Sequence, residues 1–235
     1  MVYVGCVGRD RYADILKEAV QQVGLRVEYR IDDKEPTGRV GVIITGHDRS
    51  MCTHLAAANC YKLDHLQSPE IWKLVQNAKI YYVGGYHLTV CVPAIMALAE
   101  EAASKDKVLS NRDFMRWPKT TNIAKQFILS LSAPFIPSFF KEPLDQVLPY
   151  ADVVIGNETE ALSYAESHGL TTKDIPEIAK AIAKLPKKNS KRARKVVITQ
   201  GTENTVVATG SEDDVKKYPV HVIGDSEICD TNGAG

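Results

Sequence analysis

The sequence predicts an α/β protein in which helices cover the faces of a mostly parallel sheet. The chain has 235 residues, of which 44% are hydrophobic and 25% charged, so one large core is expected. From about residue 69 onwards, short apolar runs alternate with segments of helical periodicity, as in strand–helix–strand units. Before this region, two adjacent strand-like runs alternate apolar and charged residues. They predict a small antiparallel ribbon outside the main core.

The first part of the chain predicts one strand, one helix and this ribbon. Residues 1–8 form a short β-branched run, and Asp10 is placed to cap a helix that Gly24 ends. The ribbon strands are predicted at residues 26–31 and 39–45.

The second part predicts the main sheet and its helices. Apolar runs predict strands at 79–84, 127–131, 152–155, 195–199 and 205–209, and helical spacing is found at 69–78, 93–104, 158–168 and 174–184. Because the last of these strands continues in β-branched residues, we expect that end of the sheet to turn antiparallel.

Residues 108–125 interrupt this rhythm with an atypical insertion. About 20 residues separate the helix that ends near Ser104 from the next strand, whereas such connections usually take roughly 2–6 residues. One interpretation is a surface excursion. The other is foreign sequence such as a retained intron, because joining Lys107 directly to Gln126 restores a normal connection.

Composition excludes several classes of partner. The 29 basic and 29 acidic residues give zero net charge, which argues against nucleic acid or an anionic membrane as the main partner. No apolar run reaches the roughly 18 residues of a membrane span. The five cysteines are scattered without a close pair, so we expect reduced thiols in a cytoplasmic protein. The basic run at 184–195 is either a solvated loop or a nuclear-localisation patch, which leaves a nuclear pool open.

The last residues carry a glycine-rich turn. In Asp230-Thr231-Asn232-Gly233-Ala234-Gly235, glycines flank a small residue, so backbone N–H groups can turn inward together and bind an anion. A plain turn has the same composition and remains the alternative.

Polar residues also follow the strand predicted at 152–155. Asn157 and Glu160 are three residues apart at the start of a helix, so they share a face. An amide and a carboxylate together suit a hydrated magnesium ion and phosphate oxygens. The alternative is structural, with Asn157 capping the helix and Glu160 completing a capping box.

Two further strand ends carry candidate ligand contacts. In Thr199-Gln200-Gly201, the glycine either lets the backbone approach a nucleotide or forms an ordinary strand-end turn. In Ser132-Ala133-Pro134-Phe135, Phe135 either packs in the core or stacks on a planar ring.

Taken in order, these segments resemble the adenosine kinases, within the ribokinase-like family of carbohydrate and purine kinases. The resemblance rests on the segments already described and on Pro36-Thr37-Gly38, Leu55-Ala56-Ala57-Ala58-Asn59-Cys60-Tyr61 and Leu88-Thr89-Val90. It implies a three-layer α/β/α sandwich with a small β lid, incomplete at both ends. The implied division is a partial core at 1–25 and 46–235 with a lid at 26–45.

The resemblance also implies an activity, the transfer of the γ-phosphoryl group of ATP to the 5′-hydroxyl of adenosine with Mg²⁺ in purine salvage. Asn232, Gly233, Ala234 and Gly235 resemble the catalytic anion hole. Asn157 and Glu160 resemble the pair that organises magnesium and phosphates, and Thr199 and Gly201 resemble ATP contacts. The substrate contacts implied for adenosine are Phe135, Leu88, Thr37 and Gly38.

Two elements of the family pattern have no match in this sequence. In the family an aspartate that acts as general base follows the anion hole, whereas this sequence stops at Gly235. A Gly-Gly-Ser/Thr-x-x-Asn element that binds the ribose is also unmatched. We therefore expect a central fragment, monomeric and impaired in catalysis. The alternatives are a catalytically dead nucleotide-binding fragment or a sugar kinase of the same fold, against which the ring of Phe135 argues.

Overall fold

The structure is a computed structural model that describes residues 1–46, 48–104, 125–221 and 223–224. These residues form two compact units. The first contains Met1–Ile71 and the described residues after Val220, and the second contains Trp72–Val220.

The first unit begins with a strand–helix–strand arrangement. Strand β1 (Val2–Gly8) pairs in parallel with β2 (Arg26–Asp32), and helix α1 (Arg11–Gln22) connects them. The carboxylate of Asp10 accepts a hydrogen bond from the amide of Ala13 at 3.0 Å, which satisfies one of the amides at the start of the helix. Gly24 follows the helix with a φ of +67°, a conformation that glycine adopts without strain. The predicted cap and the predicted end of this helix are both confirmed.

The ribbon of this unit differs from the prediction. Strand β3 (Arg39–Thr45) pairs antiparallel with β4 (Asp48–His54), not with β2. The predicted pairing of residues 26–31 with 39–45 is therefore wrong. Alternation of apolar and charged residues identifies a strand but not its partner, and the crossover helix α1 returns β2 to the side of β1. The rest of this unit holds the short helix α2 (Leu63–Leu66).

The second unit is built on a mostly parallel sheet, as predicted. Across the described residues the strand order is β10-β9-β8-β7-β6-β5, in which β5 to β8 are parallel and β9 and β10 are antiparallel. The strand bounds are β5 Ile80–Val83, β6 Gln126–Ser130, β7 Val153–Asn157, β8 Lys195–Gln200, β9 Glu203–Thr209 and β10 Lys216–Tyr218. The expected antiparallel end of the sheet is confirmed at β9.

The described helices from residue 69 onwards are α3 Pro69–Asn77, α4 Val92–Ser104, α5 Phe135–Phe139, α6 Lys141–Val147, α7 Glu158–Ser167 and α8 Ile175–Lys184. Of these, α4, α7 and α8 contact the strands of this sheet most closely. Helix α4 contacts β5 and β6, whereas α8 contacts β8 and β9. Phe127 and Leu129 of β6 are fully buried, and each such side chain contributes roughly 1.5–3 kcal/mol by leaving water. Helices α5 and α6 escaped prediction because Pro134, Pro137 and Pro143 interrupt the helical spacing.

The amino edge of the sheet, where the parallel strands begin, holds buried charges. Arg194 stands just before β8 and is 1% exposed. Its guanidinium donates hydrogen bonds of 2.9–3.2 Å to the carbonyl oxygens of Leu148, Ala151, Ile182, Leu185 and Pro186. Five acceptors match the five N–H donors of the group, which explains how a cation is tolerated in the core.

Other members of the basic run are also used inside the fold. Lys187 and Arg192 both pair with the carboxylate of Asp152, which stands just before β7 and is 5% exposed. Burial lowers the pKa of Lys187, and the Asp152 carboxylate opposes that shift. Lys187, Arg192 and Arg194 therefore depart from the solvated-loop interpretation of residues 184–195. The other basic residues of the run are exposed, as that interpretation expects: Lys184, Lys188, Lys191 and Lys195.

Lys125 completes the amino edge just before β6. Its ammonium group donates to the carbonyl oxygens of Val75, Gln76 and Ala78 at 2.7–3.0 Å and to the hydroxyl of Tyr81 at 2.7 Å. These carbonyls lie at the end of α3, so the lysine caps that helix. The rest of the insertion, residues 108–124, lies outside the described residues. No helix within the described part of the chain has the length and hydrophobicity needed to cross a membrane.

Candidate active site

Half of the predicted site residues lie at the carboxyl edge of the second unit's sheet. Leu88 follows β5, Phe135 follows β6, Asn157 ends β7, and Thr199 is the second-to-last residue of β8. The carboxyl ends of parallel strands lie at the same edge, where ligands of open α/β sheets bind. Thr37 and Gly38 belong to the first unit. Asn232, Gly233, Ala234 and Gly235 lie outside the described residues.

Asn157 and Glu160 form a complete capping box at the start of α7. The side-chain oxygen of Asn157 accepts from the amide of Glu160 at 2.9 Å, and Glu160 Oε2 accepts from the amide of Asn157 at 3.1 Å. The hydroxyl of Thr159 donates to the same Asn157 oxygen at 2.8 Å. The structural interpretation left open by the sequence is thus confirmed, because both residues hold the helix start.

The electrostatics of Glu160 go beyond capping. Glu160 is 6% exposed, and this burial raises the pKa of its carboxyl group. The negative charge of Glu158 raises the pKa by a smaller amount. A carboxylate that is poorly solvated favours a nearby cation. Among the described residues no group of three or more His, Cys, Asp or Glu side chains converges as a metal cage. One carboxylate and one amide suit magnesium that keeps its waters and is held largely by phosphate oxygens.

Thr199 lies beside this cluster. Asn157 and Thr199 are paired across β7 and β8, and the Thr199 hydroxyl approaches the carbonyl oxygen of Gly156 at 3.5 Å. A Cβ on Gly156 would lie 2.9 Å from Leu131 Cδ1 and 3.0 Å from Glu160 Oε2. A side chain at this position would displace the ends of Leu131 and Glu160, so glycine leaves room for the Glu160 carboxylate against the end of β7.

Gly201 has a conformational reason for being glycine. Its φ is +56°, and a Cβ at this position would meet open space. The residue shapes the turn between β8 and β9, as the ordinary strand-end interpretation requires. A cavity of about 300 Å³ lies beside this turn, lined among others by Lys173, Gln200, Asn204 and Lys217.

Phe135 presents a half-exposed ring at the first position of α5. It is 39% exposed, and its ring centroid lies 5.8 Å from that of Tyr86 and 6.3 Å from that of Phe140. Tyr86 is a site candidate that the sequence analysis missed, although it stands two residues before Leu88. Leu88 itself is 2% exposed and packs in the core behind the turn.

Thr37 and Gly38 have structural contacts within the first unit. The hydroxyl of Thr37 donates to Asp10 Oδ1 at 2.7 Å and accepts from the amide of Gly8 at 3.1 Å. Hydrogen bonds from Thr37 lower the pKa of Asp10. A Cβ on Gly38 would lie 2.6 Å from the carbonyl oxygen of Leu55, so glycine permits this close approach. The substrate contacts implied for Thr37 and Gly38 stay predictions.

Comparisons with known proteins find relatives over the whole chain. A family model for pfkB family carbohydrate kinases matches residues 1–235. Adenosine kinase of Schizosaccharomyces pombe is 45% identical over 236 residues, which cover 100% of this chain and 64% of that protein. Adenosine kinase 2 of Arabidopsis thaliana is 42% identical over 233 residues, covering 99% and 62%. The chain thus spans slightly less than two thirds of the length of these relatives.

A solved structure has the same fold. Anopheles gambiae adenosine kinase, in complex with P1,P4-di(adenosine-5) tetraphosphate, superposes with a TM-score of 0.89 at 39% sequence identity. The match covers 99% of this chain and 63% of that one.

Proposed function

Because this chain belongs to the pfkB family of carbohydrate kinases, we propose that its protein transfers the γ-phosphoryl group of ATP to the 5′-hydroxyl of adenosine. The observation that carries the proposal is the meeting of an aromatic wall and a polar cluster at one sheet edge. Phe135 follows β6, Asn157 ends β7 with Glu160 in the first turn of α7 behind it, and Thr199 lies near the end of β8. Relatives named adenosine kinase support the choice of nucleoside.

The aromatic wall suits the base of adenosine. Phe135 and Tyr86 expose 39% and 49% of their surfaces and face each other at 5.8 Å, so a purine ring packs on them at little cost in desolvation. Leu88 supports the turn from below because it is buried.

The polar cluster suits the phosphates of ATP. Glu160 and Asn157 would hold hydrated magnesium, and Thr199 and Gly201 would contact the nucleotide. Magnesium bound to phosphate oxygens would neutralise negative charge on the transferred phosphoryl group. The ligand of the Anopheles structure carries adenosine at both ends of a phosphate chain, and this supports a site for a base and phosphates together.

Phosphoryl transfer requires the protein to position the reactants and not to form a covalent bond with them. A general base takes the proton of the 5′-hydroxyl as its oxygen attacks the γ-phosphorus, the bond to the bridging oxygen breaks, and ADP leaves. Alignment and charge stabilisation therefore dominate the rate. The anion hole at Asn232, Gly233, Ala234 and Gly235 remains part of the proposal. So do a monomeric state and a cytoplasmic location.

Phe135 provides the test. We expect Phe135→Ala to weaken adenosine binding by about 5- to 150-fold, because stacking of a base on an aromatic ring contributes about 1–3 kcal/mol. Calorimetric titration of the 235-residue chain with adenosine measures this effect. Phe139→Ala is the matched control, since Phe139 lies on the same helix but is 81% exposed.

The same titration separates the alternatives. Equal adenosine affinity of the chain and Phe135→Ala contradicts the proposed base site. Binding of ADP without adenosine identifies a nucleotide-binding fragment instead. Tight binding of ribose that ignores Phe135→Ala identifies a sugar kinase.

A further inference from the structure

Ser132 has an unusual backbone conformation for its residue type. Its φ is +66°, in the left-handed region that residues other than glycine seldom occupy. The amide of Ala133 donates to the carbonyl oxygen of Leu131 at 2.8 Å, so Ser132 is the central residue of a tight three-residue turn. Such a turn with a positive φ is rare and strained. Strain of this kind persists only where surrounding contacts hold it in place.

The hydroxyl of Ser132 supplies one of those contacts. Its oxygen accepts a hydrogen bond from the amide of Gly85 at 2.7 Å and donates to Ser130 Oγ at 3.2 Å. A Cβ on Gly85 would lie 2.5 Å from the carbonyl oxygen of Leu131 and 2.6 Å from that of Ser130. The turn after β5 therefore lies directly against the turn after β6, and the serine hydroxyl joins the two.

Each of the joined turns carries one ring of the aromatic wall. Tyr86 follows Gly85 directly, and Phe135 stands three residues after Ser132. We propose that Ser132 is a positioning residue for adenosine, because its hydroxyl fixes the separation of the Tyr86 and Phe135 rings. This inference rests on the proposed function, since it assigns the rings to the base of the nucleoside.

Two substitutions separate the hydroxyl from the backbone strain. Ser132→Ala removes the hydroxyl and keeps the strained φ, whereas Ser132→Gly removes the hydroxyl and relieves the strain. If Ser132 served stability alone, adenosine affinity would follow stability, and the glycine variant would bind better than the alanine variant. If Ser132 positions the rings, both variants lose the same affinity.

The experiment is calorimetric titration of the 235-residue chain with adenosine and separately with ADP, together with thermal unfolding. We expect both Ser132 variants to bind adenosine about fivefold more weakly, the loss that one hydrogen bond accounts for. ADP affinity should stay unchanged, because Asn157 and Thr199 are untouched. Amide hydrogen exchange at Gly85 should become faster in both variants. Ser167→Ala is the control, since this hydroxyl bonds only near the end of α7.

The outcomes are distinct. If both Ser132 variants bind adenosine as tightly as the original chain does, the proposed function still stands and the positioning role is wrong. A glycine variant that regains the adenosine affinity of the original chain also overturns it. A chain that binds no adenosine overturns the proposed function, and the positioning role with it.

Discussion

The two edges of the second unit's sheet use the same strands for opposite purposes. At the amino edge, Lys125, Asp152 and Arg194 are each at most 5% exposed. Their hydrogen bonds and ion pairs end on the chain's own carbonyl oxygens, amides and charges. At the carboxyl edge, Phe135 is half-exposed, and the pKa of Glu160 is raised by burial.

This difference distinguishes charged side chains that stabilise the fold from those that are available to bind a ligand. A buried cation whose donors are all satisfied by backbone carbonyls has no donor left for a ligand. A buried carboxylate that retains its proton more tightly than usual carries an unfavourable charge at neutral pH, which a bound cation would offset. Three substitutions test this contrast, from the largest expected effect on stability to the smallest.

Arg194→Met should have the largest effect. Methionine fills a similar volume but removes one donor from each of five buried carbonyl oxygens, of which only those of Leu148 and Ile182 are shown, among the described residues, to accept from a backbone amide as well. We therefore expect a loss of more than about 3 kcal/mol in the free energy of unfolding. Urea unfolding followed by circular dichroism measures the change. Lys184→Met is the control, because its pair with Asp213 is exposed and should contribute less than about 1 kcal/mol. Equal losses in the two variants would contradict the stabilising role of the amino edge.

Deletion of residues 108–125 should change the stability of the chain only slightly, because a second lysine can take the place of Lys125. The deletion joins Lys107 to Gln126, so a lysine still stands just before β6 and can cap α3 in place of Lys125. Glu101 Oε1 of α4 lies 3.8 Å from Lys125 Nζ, so a lysine at this position also has a carboxylate nearby. We expect the free energy of unfolding to change by less than about 1 kcal/mol.

A second substitution shows whether the lysine is replaced as described. Lys125→Met in the full chain should cost about 2–3 kcal/mol, and Lys107→Met in the deletion variant should cost the same. Unfolding curves of the four proteins give both differences. A deletion variant that fails to fold would favour a genuine insertion over foreign sequence at 108–125.

Glu160→Gln should have the smallest effect on stability and a larger one on ligand binding. Glutamine keeps the capping box but carries no charge. Because the folded-state pKa of Glu160 is raised above its unfolded value, its contribution to stability is fully present below pH 4.5 and is lost as the pH rises through the folded-state pKa. The variant should therefore equal the original chain near pH 4 and be slightly more stable at pH 7.

Nucleotide binding decides what the charge of Glu160 is for. We expect Glu160→Gln to bind ATP about tenfold more weakly in the presence of magnesium, and to bind ATP with unchanged affinity in EDTA. Titration calorimetry under both conditions measures the difference. ATP affinity that is unchanged both with and without magnesium would assign Glu160 to capping alone.

Much of the site was predictable because its residues are positioned by their near neighbours in sequence. The capping box needs only Asn157 and Glu160, three residues apart, and its position after β7 follows from the strand pattern. Tyr86 was missed because the choice between a core ring and a surface ring depends on packing. Thr37 contacts Gly8, which is 29 positions away, and Asp10, which is 27 positions away, and no local sequence pattern reveals these contacts.

The sequence alone determined the alternation of strands and helices, the caps at Asp10 and Asn157, and the resemblance to nucleoside kinases. These features depend on hydrophobic period and on hydrogen bonds that reach about one helical turn. Only the tertiary structure decided that β2 pairs with β1 and that Arg194 is buried. The guanidinium of Arg194 finds one of its acceptors 46 residues away, at Leu148. A basic run has the same sequence whether its N–H donors bind water or distant carbonyl oxygens. Only the folded chain brings those oxygens within hydrogen-bonding distance.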